Sequence, residues 1–165
     1  MTNIFGNTAA RAALLACLLL TAIPGFAFAD NPALFKQLDG TWRGSGTLTL
    51  TGGERERLSC RGYYNLKSGG SGLSIALLCS SPNYKVELRS SLRDSGGHVS
   101  GSWEERTFHA TGAVSGRASG NRMNLSISGT VSGSISITAN GRSQTVNIST
   151  AGTGFTGVSL SLVRG

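Results

Sequence analysis

Alternation of apolar and polar residues is the feature that most limits what this chain can fold into. From Trp42 to Leu50 the even positions are apolar or glycine, and the odd positions are polar. Segments with the same period of two follow at intervals up to residue 164, separated by turn-forming clusters such as Asn140-Gly141. This period is typical of β-strands with one buried face. The sequence therefore predicts an all-β domain of about eight to ten strands.

The second and third predicted strands determine their own pairing. If Leu66 lies opposite Leu73, then Cys60 falls opposite Cys79. Directly opposed residues in a non-hydrogen-bonded antiparallel pair lie about 4.5 Å apart at Cα, a distance that a disulfide can bridge. The hydrophobic pattern thus predicts both the register of the two strands and a Cys60–Cys79 disulfide.

A meander of one-faced strands must protect its edges, and closure into a barrel removes them. Glycines at inner positions, such as Gly44 and Gly101, suit tightly coiled barrel strands. A short helix is predicted before the first strand, where Asn31 can cap it and Leu34 and Leu38 share one face. We therefore predict an antiparallel up-and-down β-barrel of about eight to ten strands with a short N-terminal helix. A two-sheet β-sandwich is the alternative.

The N-terminal residues have the pattern of an export signal. A positively charged residue and an apolar run precede the small-x-small sequence Ala-Phe-Ala at 27–29. The apolar run is too short for a transmembrane span. We therefore predict a signal peptide at 1–29 and a single β-barrel domain at 30–165, in a periplasmic or secreted protein. The alternative is a lipoprotein anchored through Cys17, because the residues before it resemble a lipobox.

Three residues carry a resemblance to a known group of barrels. Gly40 and Trp42 form a Gly-x-Trp at the start of the first predicted strand, and Arg164 ends the last one. This arrangement resembles the lipocalin and avidin barrels, the calycins, in which an arginine from the last strand packs across the tryptophan. A guanidinium over an indole face gains cation–π attraction. The resemblance implies that Gly40, Trp42 and Arg164 close one end of the barrel.

The same resemblance implies a carrier of a small apolar or anionic ligand. The lumen would be lined by inward-facing residues, namely Leu48, Leu50, Leu58, Tyr64, Ile75, Leu77 and Trp103. Biotin is not expected, because avidins use several tryptophans and this chain has two. Trp103 and Phe108, the latter in a strand predicted at 107–114, either fill the core of the barrel or line a lumen. A second resemblance, to small periplasmic protease inhibitors, suggests instead a protein-binding module such as a protease or lysozyme inhibitor.

Basic residues exceed acidic ones, and the formal net charge is +7. Arg43, Arg55, Arg57 and Arg61 fall on the predicted outward face of the first two strands. Such a face could meet an anionic envelope surface, namely phospholipid headgroups, lipopolysaccharide or an acidic envelope protein, or it could simply be solvated. Nucleic acid is not an expected partner, because an export signal precedes the domain and exposed aromatic residues are few.

No arrangement of residues points to catalysis. His98 and His109 are the only histidines, and the chain lacks a Gly-x-Ser-x-Gly nucleophile motif. The two cysteines of the domain are assigned to the disulfide rather than to a metal. We therefore expect no enzyme activity, no metal site and no cofactor. Two functions remain open: the lipocalin-like carrier, and the protein-binding module that acts through its loops and a basic outer wall.

Overall fold

The described part of the chain forms one short helix and ten strands. The structure, a computed structural model, describes residues 32–151 and 153–165, so the predicted signal peptide and Cys17 lie outside the described residues. The elements are α1 (Pro32–Leu38), β1 (Gly40–Leu50), β2 (Arg55–Lys67), β3 (Gly72–Ser80), β4 (Lys85–Ser95), β5 (His98–Glu105), β6 (Ala110–Ser119), β7 (Arg122–Gly129), β8 (Ser132–Asn140), β9 (Ser143–Ala151) and β10 (Phe155–Arg164), with one 3-10 turn at Ser68–Gly70.

The ten strands form a closed ring. Each strand pairs antiparallel with its neighbours along the chain, and β1 also pairs with β10. This topology confirms the predicted up-and-down barrel and excludes the two-sheet sandwich. Closure satisfies the backbone N–H and C=O groups that a free sheet edge would leave unpaired. Buried and exposed residues alternate along β2 and β7, as the period of two predicts.

The predicted register of β2 and β3 is confirmed. Leu66 lies opposite Leu73, and Cys60 lies opposite Cys79. The two cysteines form a disulfide, with their Cα atoms 4.1 Å apart. A register shifted by one residue would turn every side chain of β3 to the other face of the sheet. The apolar pattern and the disulfide therefore specify the same pairing.

The strand predicted at 107–114 is wrong at its beginning. Residues 106–109 form a turn, and β6 begins only after it. The Glu105 carboxylate accepts hydrogen bonds from the backbone N–H groups of Thr107 and Phe108, at 3.1 and 2.7 Å. Because these local bonds occupy the backbone donors, the segment turns instead of extending the sheet ladder.

Helix α1 closes one end of the barrel. Its residues Leu34, Phe35 and Leu38 are fully buried and belong to the same hydrophobic core as Trp42. The helix precedes β1, so it lies at the end where β1 begins. The loops that follow β1, β3, β5 and β7 therefore lie at the opposite end. Among the described residues, no helix is long and apolar enough to cross a membrane.

Arg164 joins the helix to the first and last strands. Its Cζ atom lies 4.7 Å from the centroid of the Trp42 ring. Its guanidinium donates one hydrogen bond to the Gln37 carbonyl at 2.6 Å and another to the Asp39 carbonyl. The Trp42 indole N–H donates to the Leu38 carbonyl at 2.7 Å. Side chains of β10 and β1 therefore satisfy the carbonyls that the end of a helix leaves unpaired.

We expect Arg164→Leu to lower the free energy of unfolding by about 2–4 kcal/mol, because two charged hydrogen bonds and a cation–π contact are lost. Arg164→Lys should have an intermediate effect, because an ammonium cannot reproduce the planar fork that reaches both carbonyls. Arg117→Leu, on the exposed face of β6, is the control and should change stability by less than about 0.5 kcal/mol. Urea unfolding measures all three variants. Equal stability of Arg164→Leu and Arg117→Leu would contradict this role.

Candidate functional site

The barrel encloses a cavity of about 500 Å³. All ten strands contribute residues to its wall, so the cavity is the lumen of the barrel. It extends to the loops opposite α1, where Tyr84, Phe108 and Thr130 line it. Phe108 is 60% exposed and therefore lies at the mouth. Ligand-binding pockets commonly measure about 300–1,000 Å³, so the lumen is large enough for one small molecule.

The structure brings together the residues that the sequence assigned to a lumen. Leu48, Leu50, Leu58, Tyr64, Ile75, Leu77 and Trp103 all line the cavity. Trp103 is 8% exposed, and its indole N–H donates to the Ser128 carbonyl at 3.3 Å, which leaves its ring as an apolar part of the wall. Of the two predicted positions for Phe108, core or lumen, the structure gives the rim of the lumen.

Two inner glycines determine how the wall curves and where its aromatic side chains lie. A Cβ atom at Gly44 would lie 2.0 Å from the Ser161 carbonyl oxygen on β10, so only glycine fits this close approach. A Cβ atom at Gly62 would lie 2.9 Å from the ring of Tyr64, which folds back over that glycine. These two glycines therefore allow β1 to approach β10 closely and leave room for the Tyr64 ring on the inner face of β2.

The lining is apolar, and it contains no lysine, arginine or histidine among the described residues. Its one charged member, Glu105, is 9% exposed. Besides the two bonds that form the turn after β5, its carboxylate accepts a hydrogen bond from the backbone N–H of Glu87 at 2.9 Å. Three backbone donors thus compensate the buried charge. The described lining is therefore an apolar surface with one buried carboxylate.

Tyr64 lines the cavity near the closed end of the barrel, and the side chain of Gln144 lies beside its hydroxyl. The Tyr64 ring lies 6.4 Å from the Trp42 ring at the closed end. Burial raises the pKa of the Tyr64 hydroxyl well above its usual range, and the Gln144 carboxamide opposes part of that rise. Gln144 is 1% exposed, yet neither of its side-chain polar atoms reaches a hydrogen-bond partner within the described part of the chain. The two groups are therefore neighbours without forming a well-aligned hydrogen bond.

The remaining predicted site residues lie outside the lumen. Gly40, Trp42 and Arg164 meet at the closed end, where Trp42 is directly opposite Arg164 across β1 and β10. Arg43, Arg55, Arg57 and Arg61 are all exposed, on the outward faces of β1 and β2.

The two histidines do not form a site. His98 begins β5 at the closed end of the barrel, and His109 lies in the turn after β5 at the mouth. Both are exposed. No group of three or more histidine, cysteine, aspartate or glutamate side chains is arranged to hold a metal ion among the described residues.

Sequence reasoning missed Gln144 and Glu105. Each occupies an inward position of its strand, in phase with Val146 and Trp103 respectively. A polar residue at an inward position of a strand can be recognised in the sequence, because a buried polar group needs a structural reason. The period of two could therefore have identified both residues, although not their partners.

Neither a protein-family model nor a curated protein sequence matches this chain. The solved structures that share its fold include two from different organisms. Rv2717c from M. tuberculosis superimposes with a TM-score of 0.61 at 16% sequence identity, over 83% of this chain and 99% of that one. The S-type phycobiliprotein lyase CPES from Guillardia theta superimposes with a TM-score of 0.56 at 16% identity, over 83% and 93%. These likenesses support the resemblance to a calycin-like barrel at the level of the fold.

We expect Gln144→Leu to raise the free energy of unfolding by about 1 kcal/mol, because it replaces unpaired buried polar atoms with apolar ones of similar size. Gln144→Glu should lower it by about 2 kcal/mol or more, because an uncompensated carboxylate would be buried. Urea unfolding at neutral pH compares the two variants with the natural chain. A less stable Gln144→Leu protein would show that the carboxamide has a partner in solution.

Proposed function

We propose that this chain is a non-enzymatic carrier that holds one small, uncharged, largely apolar molecule in the barrel lumen. The cavity of about 500 Å³ is the observation that carries the proposal, because a barrel filled by its own side chains would leave no room for a ligand. Transfer of apolar surface from water to such a lining is favourable at about 25 cal/mol per Å².

The composition of the lining favours an apolar ligand over an anionic one. An anion would have to enter next to the Glu105 carboxylate, without a cationic side chain among the described lining residues. The polar groups on hand are the buried Tyr64 hydroxyl and a few hydroxyls such as those of Ser90 and Thr150. Ser90 already donates to the Ser102 carbonyl at 2.8 Å, and Thr150 to the Phe155 carbonyl at 2.8 Å. Shape and apolar contact would therefore supply most of the affinity.

One structural neighbour is named a phycobiliprotein lyase, so a barrel of this fold can belong to a protein named for a reaction. In this chain Glu105 is the charged residue of the described lining, and three backbone N–H bonds hold its carboxylate against β4 and the turn after β5. We assign this carboxylate a structural role in the turn rather than that of a general base. The lining thus supports binding rather than chemistry.

An oxidising location fits the carrier. Disulfides persist in exported proteins and are rare in reducing compartments, so the Cys60–Cys79 bridge supports a periplasmic or secreted protein. The residues that distinguish a cleaved signal peptide from a lipid anchor at Cys17 lie outside those described. The other predicted function, an inhibitor-like protein-binding module, makes no use of the lumen and stays a prediction.

The test fills the lumen and measures binding of a neutral apolar probe, N-phenyl-1-naphthylamine, by its fluorescence. Val114 lines the cavity, and its neighbour Ala113 on β6 points outward and is exposed. We expect Val114→Trp to weaken binding by about tenfold or more, because the indole occupies space that the ligand needs. Ala113→Trp adds the same side chain outside the lumen and should leave the affinity unchanged.

Native mass spectrometry of the exported protein provides a second measurement, because a retained lumen ligand should be absent from the Val114→Trp protein. Thermal unfolding of both variants shows whether they remain folded. Equal affinities of the two folded variants for the probe would contradict binding in the lumen. A folded natural protein that binds no apolar probe would contradict the carrier itself.

A further inference from the structure

Charge is distributed unevenly around the outside of the barrel. The outward faces of β1 and β2 carry Arg43, Arg55, Arg57 and Arg61, and β4 adds further basic residues. The described strands β8 and β9, which β10 separates from β1, contain no charged residue at all. A surface that only needs solubility intersperses charges of both signs. The barrel instead has a basic wall, formed by the outward faces of β1–β4, and an uncharged wall, formed by those of β8 and β9.

Two arginines of the basic wall face each other. Arg43 and Arg61 are directly opposed across β1 and β2, and both are exposed. No ion pair to either arginine is formed by an acidic residue in the described part of the chain. Like charges directly opposite each other in a sheet destabilise it. The fold thus maintains a repulsive pair that an external anion would relieve.

The acidic residue that lies opposite Leu78 on β4 does not neutralise this pair. Glu87 on β4 forms its ion pairs with Arg89 and Arg106, at 2.9 and 3.0 Å. Hydrogen bonds from these two arginines, together with their positive charges, lower the pKa of the Glu87 carboxyl. Glu87 therefore stays ionised, and its charge is already paired with Arg89 and Arg106. The guanidinium groups of Arg43 and Arg61 consequently remain available to a partner.

Exposed apolar residues flank the two arginines in the same row. Val163 lies opposite Arg43 on one side, and Leu78 lies opposite Arg61 on the other. Val163 is 58% exposed and Leu78 is 43% exposed. Adjacent strands lie about 4.8 Å apart, so this arginine row (Val163, Arg43, Arg61 and Leu78) extends about 15 Å across four strands. Tyr63, 40% exposed, is the next outward residue after Arg61 along β2.

We infer that the arginine row is a docking surface for an anionic lipid bilayer. Phosphates of the headgroups would accept hydrogen bonds from Arg43 and Arg61, which removes their mutual repulsion. Val163 and Leu78 would contact the boundary between headgroups and acyl chains, and Tyr63 has the amphipathic ring found at membrane interfaces. An acidic protein would also attract the arginines, but charge alone gives no role to the flanking apolar residues.

The inference is independent of the lumen. Docking uses outward side chains of β10, β1, β2 and β3, and the carrier proposal uses inward ones. Either can fail without the other, because residues on alternate positions of a strand lie on opposite faces of the sheet. The Val114→Trp protein should therefore bind membranes as the natural protein does.

The test is co-sedimentation of the protein, purified after export, with vesicles of phosphatidylglycerol and phosphatidylcholine in equal parts. Vesicles of phosphatidylcholine alone are the uncharged reference. We expect binding to the anionic vesicles only, and its loss in about 1 M salt, where the Debye length falls to about 3 Å. Binding to both kinds of vesicle, with no effect of salt, would contradict a docking surface built on arginines.

A matched pair of double variants separates the arginine row from net charge. Arg43→Ser with Arg61→Ser removes the two opposed arginines, and Arg117→Ser with Arg122→Ser removes two exposed arginines from β6 and β7. Both proteins lose the same charge. We expect the first pair to weaken anionic-vesicle binding by at least about tenfold, because each basic residue at such a surface contributes about fivefold. The second pair should weaken it by much less.

Three further results would overturn the inference. Equal losses in the two double variants would mean that net charge, not the arginine row, drives binding. Unchanged binding after Leu78→Ser with Val163→Ser would remove the apolar contact on which the choice of a membrane depends. Retention of the natural protein, but not of the Arg43→Ser/Arg61→Ser protein, on immobilised polyglutamate without any vesicle binding would assign the surface to an acidic polypeptide. Thermal unfolding should show the arginine double variant at least as stable as the natural chain, since a repulsion is removed.

Discussion

The contact between Arg164 and Trp42 is the interaction on which the rest of the structure depends. It lies where the last strand meets the first, and a barrel without that seam would be an open sheet with two unpaired edges. The same guanidinium and the Trp42 indole satisfy the terminal carbonyls of α1. One joint therefore closes the ring and fixes the helix that plugs its end. The lumen is thus sealed at this end, and its mouth lies at the opposite end of the barrel.

A closed ring of strands has two faces with separate roles, because side chains alternate between them. The inner face is apolar and leaves a cavity, with a buried glutamate whose charge backbone donors compensate. The outer face carries the excess of positive charge, concentrated on one side of the ring. Cations are thus kept outside the described lining of the lumen, and the apolar surface that would bind a ligand is kept from water. Recognition of a small molecule and recognition of an anionic surface can coexist on one set of strands.

Much of the candidate site could be predicted, because lumen residues are inward residues and the period of two identifies them. Leu48, Tyr64 and Trp103 all lie where that phase places them. Gln144 and Glu105 were missed, although the same phase points them inward. The strand predicted to contain Phe108 was placed too early in the sequence. The Glu105 carboxylate accepts hydrogen bonds from the backbone N–H groups of the next residues, and the chain therefore turns at this point. Alternation describes which face a residue occupies, and it carries no information about which local bonds compete with the sheet.

The sequence by itself determined the strands, the pairing of β2 with β3 and the disulfide between them, because each follows from contacts that are local or one hairpin apart. It also determined the excess of basic residues and their outward phase. Only the tertiary structure decided whether the lumen is hollow, since that depends on the curvature of ten strands at once and on the depth to which α1 enters. Tertiary structure likewise decided that Val163 lies beside Arg43, because the pairing of the last strand with the first depends on closure of the whole ring.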